Sequence, residues 1–510
     1  MDYIQGADRH QTLLFPASLE EYVSPDNPVR FVDAYVESLD VLKLGFTHAR
    51  LASTGRPPYR PQDLLKLYVY GYLHRIRSSR ALEQETHRNI ELLWLLGKLQ
   101  PDFKTIADFR TNNTEALKGV CTEFILLCNR MDLFGGELVA IDGSKFEAVN
   151  HSGRSYTRKG LKQALAATEQ QLQEWLERLD QADHEDPSGS SRQDLSEKIA
   201  QLDTYRGKLE ELGQRMEDSE SPGGSLTDPD SRKMRTGHGG RDVCYNVQIA
   251  VESTHKLIVA HGVSSEATDL HQLLPMARQA KTVLEADTLE VLADKGYYNT
   301  QQIVDCEAEQ ITCYVPAPQG NGGQSKDLFR KKDFTYLPTL DSYQCPAGHL
   351  LPYKSTVNKS GKRTRIYETS ACRGCPLRSR CTTAKKGNRR MYRWLHEGGI
   401  ESVNERVRQN LEKIKLRGQL AGHPFGTLKR AMGHGYFLTR GLPKGSAEIS
   451  LSVLAYNMKR VLNIMGGKKL MEAVMAMEKP VRSFLNSFYR TYRQNYLFLH
   501  FNTLFSIKSL

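Results

Sequence analysis

The strongest constraint on the fold is a change of hydrophobic pattern at Leu138. From there, LVAIDGSKFEAVN predicts a buried strand that ends at Asp142, with a turn at Gly143. YNVQIAVE alternates apolar and polar side chains and is followed by HKLIVAHGV, which predicts an antiparallel hairpin. A helix predicted from about residue 269 to 285 leads to LEVLADKGYYN, a second buried strand that ends at Asp294.

A short helix near residues 300–309 and a strand in ITCYVP complete this part of the chain. The order is three strands, helix, strand, helix, strand. It predicts an α/β RNase H-like mixed sheet in which the first and fourth strands lie side by side. The predicted catalytic domain covers residues 136–316 and 401–466.

Residues 1–135 predict an all-α N-terminal domain. Its apolar-periodic segments are PQDLLKLYVYGYLHRI, SSRALEQETHRNIELLWLLG and TEALKGVCTEFILLCNRM. The link between the first two is basic and runs from Arg75 to Arg80. One interpretation is a helix-turn-helix DNA-binding domain in which Arg80 and His74 approach phosphates. The other is a helical bundle with a solvated basic corner.

Two insertions interrupt the predicted catalytic domain. In residues 156–220, apolar residues recur at alternating steps of four and three on both sides of DHEDPSGSSRQD, which predicts an antiparallel coiled-coil hairpin. The segment from Leu161 to Glu220 has 15 acidic and 7 basic residues, so it should be repelled by nucleic acid. The hairpin would serve partner binding or dimerisation, or be a solvated arm without a ligand.

The second insertion, residues 317–400, contains four cysteines. Cys345 begins the sequence Cys-Pro-Ala-Gly, and Cys372, Cys375 and Cys381 follow with spacings of two and five residues between them. Four thiolates could close a tetrahedral zinc site, and the glycine would permit a tight knuckle turn. The alternative is four free, reduced thiols. Cys121 and Cys128 lie on an apolar helix and are expected in the core.

The chain is basic, and the excess is local. The 510 residues contain 70 Lys and Arg against 59 Asp and Glu, whereas the segment from Arg378 to Lys469 has 20 against 5. A basic field of this kind is compatible with DNA as a partner. Residues 467–510 form an aromatic and basic tail, which predicts a docked amphipathic helix or a surface that stacks on bases.

Targeting signals are absent from the sequence. MDYIQGADRH does not resemble a signal peptide, and no apolar run reaches transmembrane length. Nine cysteines with irregular spacing do not form a secreted disulfide framework. These features predict a cytoplasmic protein that does not associate with a membrane.

The two strand-terminal aspartates are the main candidates for chemistry. Asp142 and Asp294 would meet at one edge of the sheet, where carboxylates, waters and substrate phosphates could complete the shell of Mg²⁺. Two such ions can assist in-line phosphoryl transfer. Taken singly, each aspartate is also compatible with a structural role, as a turn residue or a helix cap.

The sequence resembles the DDE transposases of bacterial insertion sequences. The motifs that carry the resemblance extend from about residue 3 to 466 and include SLEEYVSPDNPVR, DFKTIADFR, VAIDGSKFEAVN, TDPDSRKM, TDLHQLLPMA, ADKGYYN, CPLRSRC, HPFGTLKR and LAYNMKRVLNIMG. The resemblance implies an RNase H-like catalytic domain that binds two Mg²⁺ or Mn²⁺ ions and cleaves and transfers DNA strands at element ends. It implies that Asp142 and Asp294 are the first two acidic metal ligands and that Lys429 contacts a phosphate of the DNA.

The third acid of the family is missing. Relatives have Glu immediately before HPFG, where this chain has Gly422, and an arginine where it has Gly418. Glu412 lies ten residues upstream, about 15 Å along a straight helix, and is a poor substitute. The resemblance therefore implies an impaired or decayed copy.

We expect five basic residues near the metal edge to contact DNA: Lys415, Arg417, Lys429, Arg430 and Arg440. The expected partner is double-stranded DNA at the terminal inverted repeats, bound by a homo-oligomer. Two other functions compete with an active transposase. One is a catalytically inactive DNA-binding derivative, and the other is a nuclease acting on RNA or hybrids, which would leave the N-terminal helices and insertions without a role.

Overall fold

A computed structural model describes residues 18–476 except 52, 56, 186–189, 219–220, 222, 238, 319–327, 360 and 384–386. The chain forms two compact units. The first contains the residues up to Gly136, Gly143–Ala267 and those from Leu420 on, and the second contains Glu137–Asp142 and Thr268–Gln419. These units do not coincide with the domains predicted from the sequence, whose boundaries stay a prediction. Among the described helices, none has the length and apolar character needed to cross a membrane.

The N-terminal segment is helical, as predicted. Its helices are α1 Pro28–Ser38, α2 Pro61–Leu73, α3 Ser79–Arg88, α4 Ile90–Leu95, α5 Phe103–Asn112 and α6 Thr114–Arg130. Polar caps and prolines fix their starts: Asn27 accepts a hydrogen bond from the Val29 amide ahead of α1, and Asp102 accepts from the first turn of α5. α2 is buried along most of its length and belongs to the core of the first unit.

Strands and two long helices follow. They are β1 Leu138–Glu147, β2 Ser155–Thr157, α7 Arg158–Glu185, α8 Ser190–Asp218, β3 Gly223–Ser225, β4 Arg232–Arg235, β5 Arg241–Glu252 and β6 Ile258–Ser264. α7 and α8 pack against each other around Leu161, Leu209, Leu212 and Met216. β4, β5 and β6 pair antiparallel, so the predicted hairpin of YNVQIAVE and HKLIVAHGV is present.

The next part of the chain belongs mostly to the second unit. Its elements are α9 Leu273–Leu284, β7 Leu289–Leu292, α10 Thr300–Ala308, β8 Ile311–Tyr314, β9 Thr335–Leu337, β10 Ser342–Gln344, β11 Leu350–Lys359, β12 Lys362–Glu368, α11 Arg378–Cys381, β13 Arg390–Trp394, α12 Glu397–Gln409 and α13 Leu411–Gly426. The strands from β9 to β13 form one antiparallel sheet with the order β13-β12-β11-β10-β9.

A π-helical turn, Thr427–Ala431, follows α13, and the described chain ends with α14 Leu442–Met465 and α15 Gly467–Ala476. α14 is buried on all sides from Ala447 to Met458, so this part of the helix is surrounded by protein. It packs against α2, α6 and β6 and forms the centre of the first unit. Most of the predicted aromatic tail, residues 477–510, lies outside the described residues.

The fold is mixed α/β, and its sheet positions the two aspartates. β1 pairs in parallel with β7, and β7 with β8. β5 is the other neighbour of β1 in the sheet order. The prediction that the first and fourth long strands lie side by side is therefore confirmed. The prediction that β1 ends at Asp142 is wrong, because the strand continues to Glu147.

The extension of β1 has a packing cause. Phe146 is buried, with its ring 6.1 Å from that of Phe425 and 6.3 Å from that of Phe437. Beyond it, the Ala148 amide donates to the Val243 carbonyl. The Asp-Gly pair at 142–143, which often marks a turn, lies here within a strand because apolar contacts follow it. The helix predicted from about residue 269 also differs, since α9 begins at Leu273.

Candidate functional site

The pairing of β1 with β7 places two acids at equivalent positions. The register pairs Leu138 with Glu290 and Ala140 with Leu292. When this register is continued by two residues beyond the last pair, Asp142 lies opposite Asp294. The residues immediately before both acids are fully buried and apolar. The carboxylates thus emerge together where the buried parts of two neighbouring parallel strands end.

Asp294 also organises the turn that follows β7. It is the N-cap of a 3₁₀ turn, Lys295–Tyr297, and its Oδ1 accepts a hydrogen bond of 2.7 Å from the Gly296 amide. The helix-cap role that the sequence left open for this aspartate is therefore present. It is compatible with a metal site, because a capping carboxylate keeps further lone pairs.

A third carboxylate, which the sequence analysis did not identify, lies beside Asp294. A Cβ atom at Gly296 would lie 2.9 Å from Oδ1 of Asp294 and 3.7 Å from Oδ2 of Asp269. Gly296 has no unusual backbone angle, so a side chain at this position would be limited by its contact with the Asp294 carboxylate and not by the conformation. Asp269 lies in a polar stretch just before α9, where the sequence has no periodic pattern to single it out.

Tyr297 lies fully buried next to the same group. Burial raises the pKa of its phenol well above the usual value, and the negative charges of Asp269, Asp142 and Asp294 raise it further. The Arg417 guanidinium acts in the opposite direction. These four charged groups therefore lie close enough to Tyr297 to act on it electrostatically.

Arg417 pairs directly with Asp142. Its Nη1 lies 3.0 Å from Oδ2 of Asp142, and both side chains are about one quarter exposed, 22% for Arg417 and 24% for Asp142. Lys415, on the same helix, is exposed. Of the predicted DNA-binding residues, these two belong to the unit that contains the aspartates.

The other predicted residues belong to the first unit. Arg430, Arg440 and Arg80 are exposed there. Lys429 is half-buried in the π-helical turn, where its Nζ donates to the Lys145 carbonyl at 2.6 Å and burial lowers its pKa. Gly422 is exposed, with open space where a side chain would begin.

Part of the predicted basic corner is not a surface. Arg77, in the link between α2 and α3, is buried and pairs with Glu448 of α14 at 3.2 Å. It also donates to the carbonyls of Tyr436 and Gly433. His74 is exposed and stacks on Tyr70. Arg77 thus holds the first unit together, whereas Arg80 remains available to a partner.

The four cysteines of the second insertion line one cavity in the second unit, together with His349, Arg378 and Arg389. Cys345 opens a tight turn in which the Gly348 amide donates to its carbonyl, and Gly348 has a φ of +80°. This is the knuckle turn predicted from Cys-Pro-Ala-Gly. Burial raises the pKa of Cys381, and the other three thiols raise it further.

Both sets of side chains have the chemistry of metal ligands. Carboxylate oxygens suit Mg²⁺ and Mn²⁺, and thiolates suit zinc. Within the part of the chain that the structure describes, no group of three or more His, Cys, Asp or Glu side chains is placed so that it could hold a metal ion.

Two family models match the chain. Residues 17–112 match "Transposase domain (DUF772)", and residues 344–462 match "Transposase DDE domain". Both matched families are transposase domains, and together they support a DDE-type transposase. The second match contains the cysteines, Arg417, Gly422 and Lys429 of this transposase, but neither Asp142 nor Asp294.

Other comparisons add little to this assignment. No curated protein sequence matches the transposase. A solved structure described as a piggyBac transposase synaptic complex with hairpin DNA is 9% identical, with 91% of this chain and 84% of that chain covered. Its TM-score is 0.30, which is too low to support an inference about the fold.

Proposed function

We propose that this protein is the transposase of a bacterial insertion sequence, which binds the terminal inverted repeats of the element and catalyses metal-dependent cleavage and transfer of DNA strands. The observation that carries the proposal is the placement of Asp142 and Asp294 at equivalent positions of two neighbouring parallel strands. The strand order around them supports an RNase H-like catalytic domain. The matches to two transposase domain families support the reaction class.

The proposed metal ligands are Asp142 and Asp294. A bound Mg²⁺ or Mn²⁺ pair would activate the attacking oxygen and stabilise the leaving one during in-line phosphoryl transfer. The protein contributes rigid placement, since both acids directly follow buried segments of paired strands. Arg417, beside Asp142, is placed to contact a phosphate with its planar guanidinium.

DNA binding would rest on exposed cations. Lys415, Arg430, Arg440 and Arg80 are exposed, and cations of this kind contact the phosphate backbone without reading bases. Replacing any one of them should weaken binding to all DNA sequences and reduce its salt dependence. Lys429 already donates to a backbone carbonyl, so its proposed phosphate contact would require the side chain to change partner.

We propose that cleavage is impaired because Gly422 stands where relatives have Glu. Purified protein should show little Mg²⁺-dependent nicking of cognate element ends, and Gly422→Glu should increase it. The variant should fold, because position 422 is exposed and has open space. The matched control is Gly418→Glu, which introduces the same side chain at an equally open position of α13. Robust cleavage by the unaltered chain that survives loss of Asp142 would contradict the site assignment.

The alternative function is a DNA-binding derivative without chemistry, which Gly422 also favours. It would occupy element ends or enter assemblies of active relatives. Binding to terminal repeats and strand cleavage should be measured in parallel, over a range of salt concentrations. Salt-dependent binding without cleavage, in both the native protein and Gly422→Glu, would favour the alternative.

We also propose a structural zinc ion held by Cys345, Cys372, Cys375 and Cys381. The support is that all four line one cavity and that the Cys345 turn has the knuckle geometry. Protein purified without added metal should contain about one zinc per chain by elemental analysis. Cys375→Ser should lose it, whereas His349→Ala, which lines the same cavity, should keep it. Zinc-free native protein with four rapidly titrating thiols would support free cysteines instead.

The proposed assembly is a homo-oligomer on DNA, acting in the cytoplasm without a membrane. Strand transfer at both ends of one element requires two active sites to be brought together. Light scattering of the protein with a terminal-repeat duplex would measure the number of chains per complex. A single chain on each duplex at all concentrations would contradict this assembly.

A further inference from the structure

One side of the antiparallel sheet in the second unit is basic and aromatic. We propose that this side of strands β11, β12 and β13 binds single-stranded DNA, with bases stacked on Tyr392 and phosphates contacted by lysines. The inference rests on the proposed function, because it adds a DNA-contacting surface to the same protein. The surface uses none of the residues that the sequence predicted to contact DNA, and it lies on a different sheet from Asp142 and Asp294.

The strand register determines which side chains share this side. Directly paired residues of antiparallel strands point to the same side of a sheet, and side chains alternate along each strand. The register pairs Val357 with Thr364 and Thr364 with Trp394. Two residues further along β12 it pairs Ile366 with Tyr392. What we call the β11–β13 face therefore carries Val357, Lys359, Lys362, Arg390, Tyr392 and Trp394.

The opposite side of these strands packs on a core. Tyr367 and Met391 are paired on that side and belong to a buried hydrophobic cluster. On the β11–β13 face, by contrast, Val357 and Tyr392 are each 36% exposed. Large apolar side chains that remain exposed together on one side of a sheet indicate a surface for a partner.

The charge of the face selects the kind of partner. Strands β11 to β13 contain seven Lys and Arg residues and one acid, Glu368. Glu368 pairs with both Lys354 and Arg390, and Lys359 and Lys362 add two further cations to the same face. The face is therefore positively charged, which complements the phosphates of DNA.

The aromatic rings favour a single strand over a duplex. Nζ of Lys359 lies 4.4 Å from the ring centroid of Tyr392, and Nζ of Lys362 lies 4.6 Å from that of Trp394. A ring face that a flexible lysine reaches is also open to a base, and the displaced ammonium then lies close to the phosphate of that nucleotide. The bases of a single strand have free faces for such stacking, whereas a duplex keeps its bases stacked inside.

The test is binding of a fluorescein-labelled oligothymidylate to the full-length protein, measured by fluorescence anisotropy beside its duplex with oligodeoxyadenylate. Tyr392→Ala should weaken binding of the single strand by at least about fivefold, the lower limit for the loss of one stacked base, and should affect the duplex less. The matched control is Tyr353→Ala, which removes an exposed tyrosine from the opposite side of β11 and should bind as the native protein does.

Three further variants separate the ring from its packing and its charge. Tyr392→Phe keeps the ring and should bind as the native protein does, whereas Tyr392→Leu keeps only an apolar side chain and should lose as much affinity as Tyr392→Ala. Lys359→Gln should weaken binding and reduce the slope of log affinity against log salt by about 0.7. Circular dichroism establishes that each variant is folded.

The outcomes separate this inference from the proposed function. Native affinity for the single strand in both Tyr392→Ala and Tyr392→Leu, with binding to a terminal-repeat duplex intact, would overturn the inference and leave the proposed function standing. Absence of binding to the oligonucleotides and to the terminal-repeat duplex would overturn both. Loss of self-association in Tyr392→Ala by light scattering, without a change in DNA affinity, would assign the face to a second copy of the chain and overturn the inference.

Discussion

Two arginine–carboxylate pairs, one in each unit, show how the same chemistry serves structure or function. Arg77 and Glu448 are almost completely buried, with side-chain exposures of 5% and 1%. Arg417 and Asp142 are about one quarter exposed. Glu448 accepts further hydrogen bonds from the Leu438 and Thr439 amides and from the Thr439 hydroxyl.

The two pairs differ more clearly in their surroundings than in their N–O distances. The Glu448 carboxylate is surrounded by donors from the protein, so its charge is balanced within the fold. Asp142 pairs with one arginine and, like Asp269 and Asp294, acts electrostatically on Tyr297. An acid whose neighbours balance it stabilises the fold, whereas an acid in excess is suited to a cationic ligand. Four predictions test this distinction, ordered by their expected effect on the free energy of unfolding.

The largest effect is expected from Glu448→Gln. It would leave the buried Arg77 charge without its partner, which typically costs about 3–5 kcal/mol. Urea unfolding followed by circular dichroism measures the change. Glu472→Gln, an exposed acid on α15 in the same unit, is the control and should change little. A loss below about 1 kcal/mol for Glu448→Gln would mean that the pair is not structural.

The second effect is a pH dependence in the first unit. His434 is buried near Tyr72, and burial, together with the charges of Arg77 and Arg75, lowers its pKa to about 3. The unfolded chain therefore binds a proton near pH 6.5 that the folded chain does not bind. The free energy of unfolding should fall as the pH decreases from about 6.5 towards 3.

His434→Phe should flatten this slope in urea unfolding measured between pH 7 and 4, because it keeps a ring and removes the titration. His87→Gln, an exposed histidine on α3, should leave the slope as it is. Part of the slope should remain in His434→Phe, since burial also lowers the pKa of His261, to about 4. An unchanged slope in His434→Phe would contradict the lowered pKa of His434.

A smaller effect is expected from Arg417→Gln. A partly exposed ion pair contributes at most about 1 kcal/mol, so the free energy of unfolding should change little. Mn²⁺ binding should become tighter, because the cation that competes for Asp142 is removed. Lys415→Gln, on the same helix, is the matched control. Weaker Mn²⁺ binding in Arg417→Gln would show that the arginine supports the metal site instead of competing with it.

The smallest effect on stability is expected from Asp142→Asn. It removes one of several mutually repelling charges as well as the pair with Arg417, so the two changes should cancel to within about 0.5 kcal/mol. Metal binding should nevertheless be lost, as should any strand cleavage that Gly422→Glu restores. Destabilisation comparable to that of Glu448→Gln would place Asp142 among the structural acids.

The sequence was informative where a periodic pattern determined the structure. Alternation and buried runs predicted β1 beside β7, and hence the approach of Asp142 to Asp294. Cys-Pro-Ala-Gly predicted the turn at Gly348 because few residues other than glycine adopt a positive φ. In both cases local chemistry restricts the backbone strongly.

Contacts between distant, non-periodic residues were not predictable. In the sequence, Arg77 belongs to a basic link that one interpretation placed in solvent. Its burial could not be predicted, because its partner Glu448 lies 371 residues away. Asp269 lies in a polar stretch whose position depends on how α9 packs. The end of β1 was misplaced because Phe146 packs against aromatic residues almost 300 positions further along the chain.

The burial of α14 has a consequence for engineering. This helix covers α2 and α6, and its Glu448 neutralises Arg77 between the N-terminal helices. A fragment that ends near residue 135 would expose the surface of α2 and α6 that α14 covers. It would also leave the Arg77 charge without its partner Glu448. The N-terminal helices are therefore not a portable module, and grafting them onto another protein would require α14 to be transplanted with them.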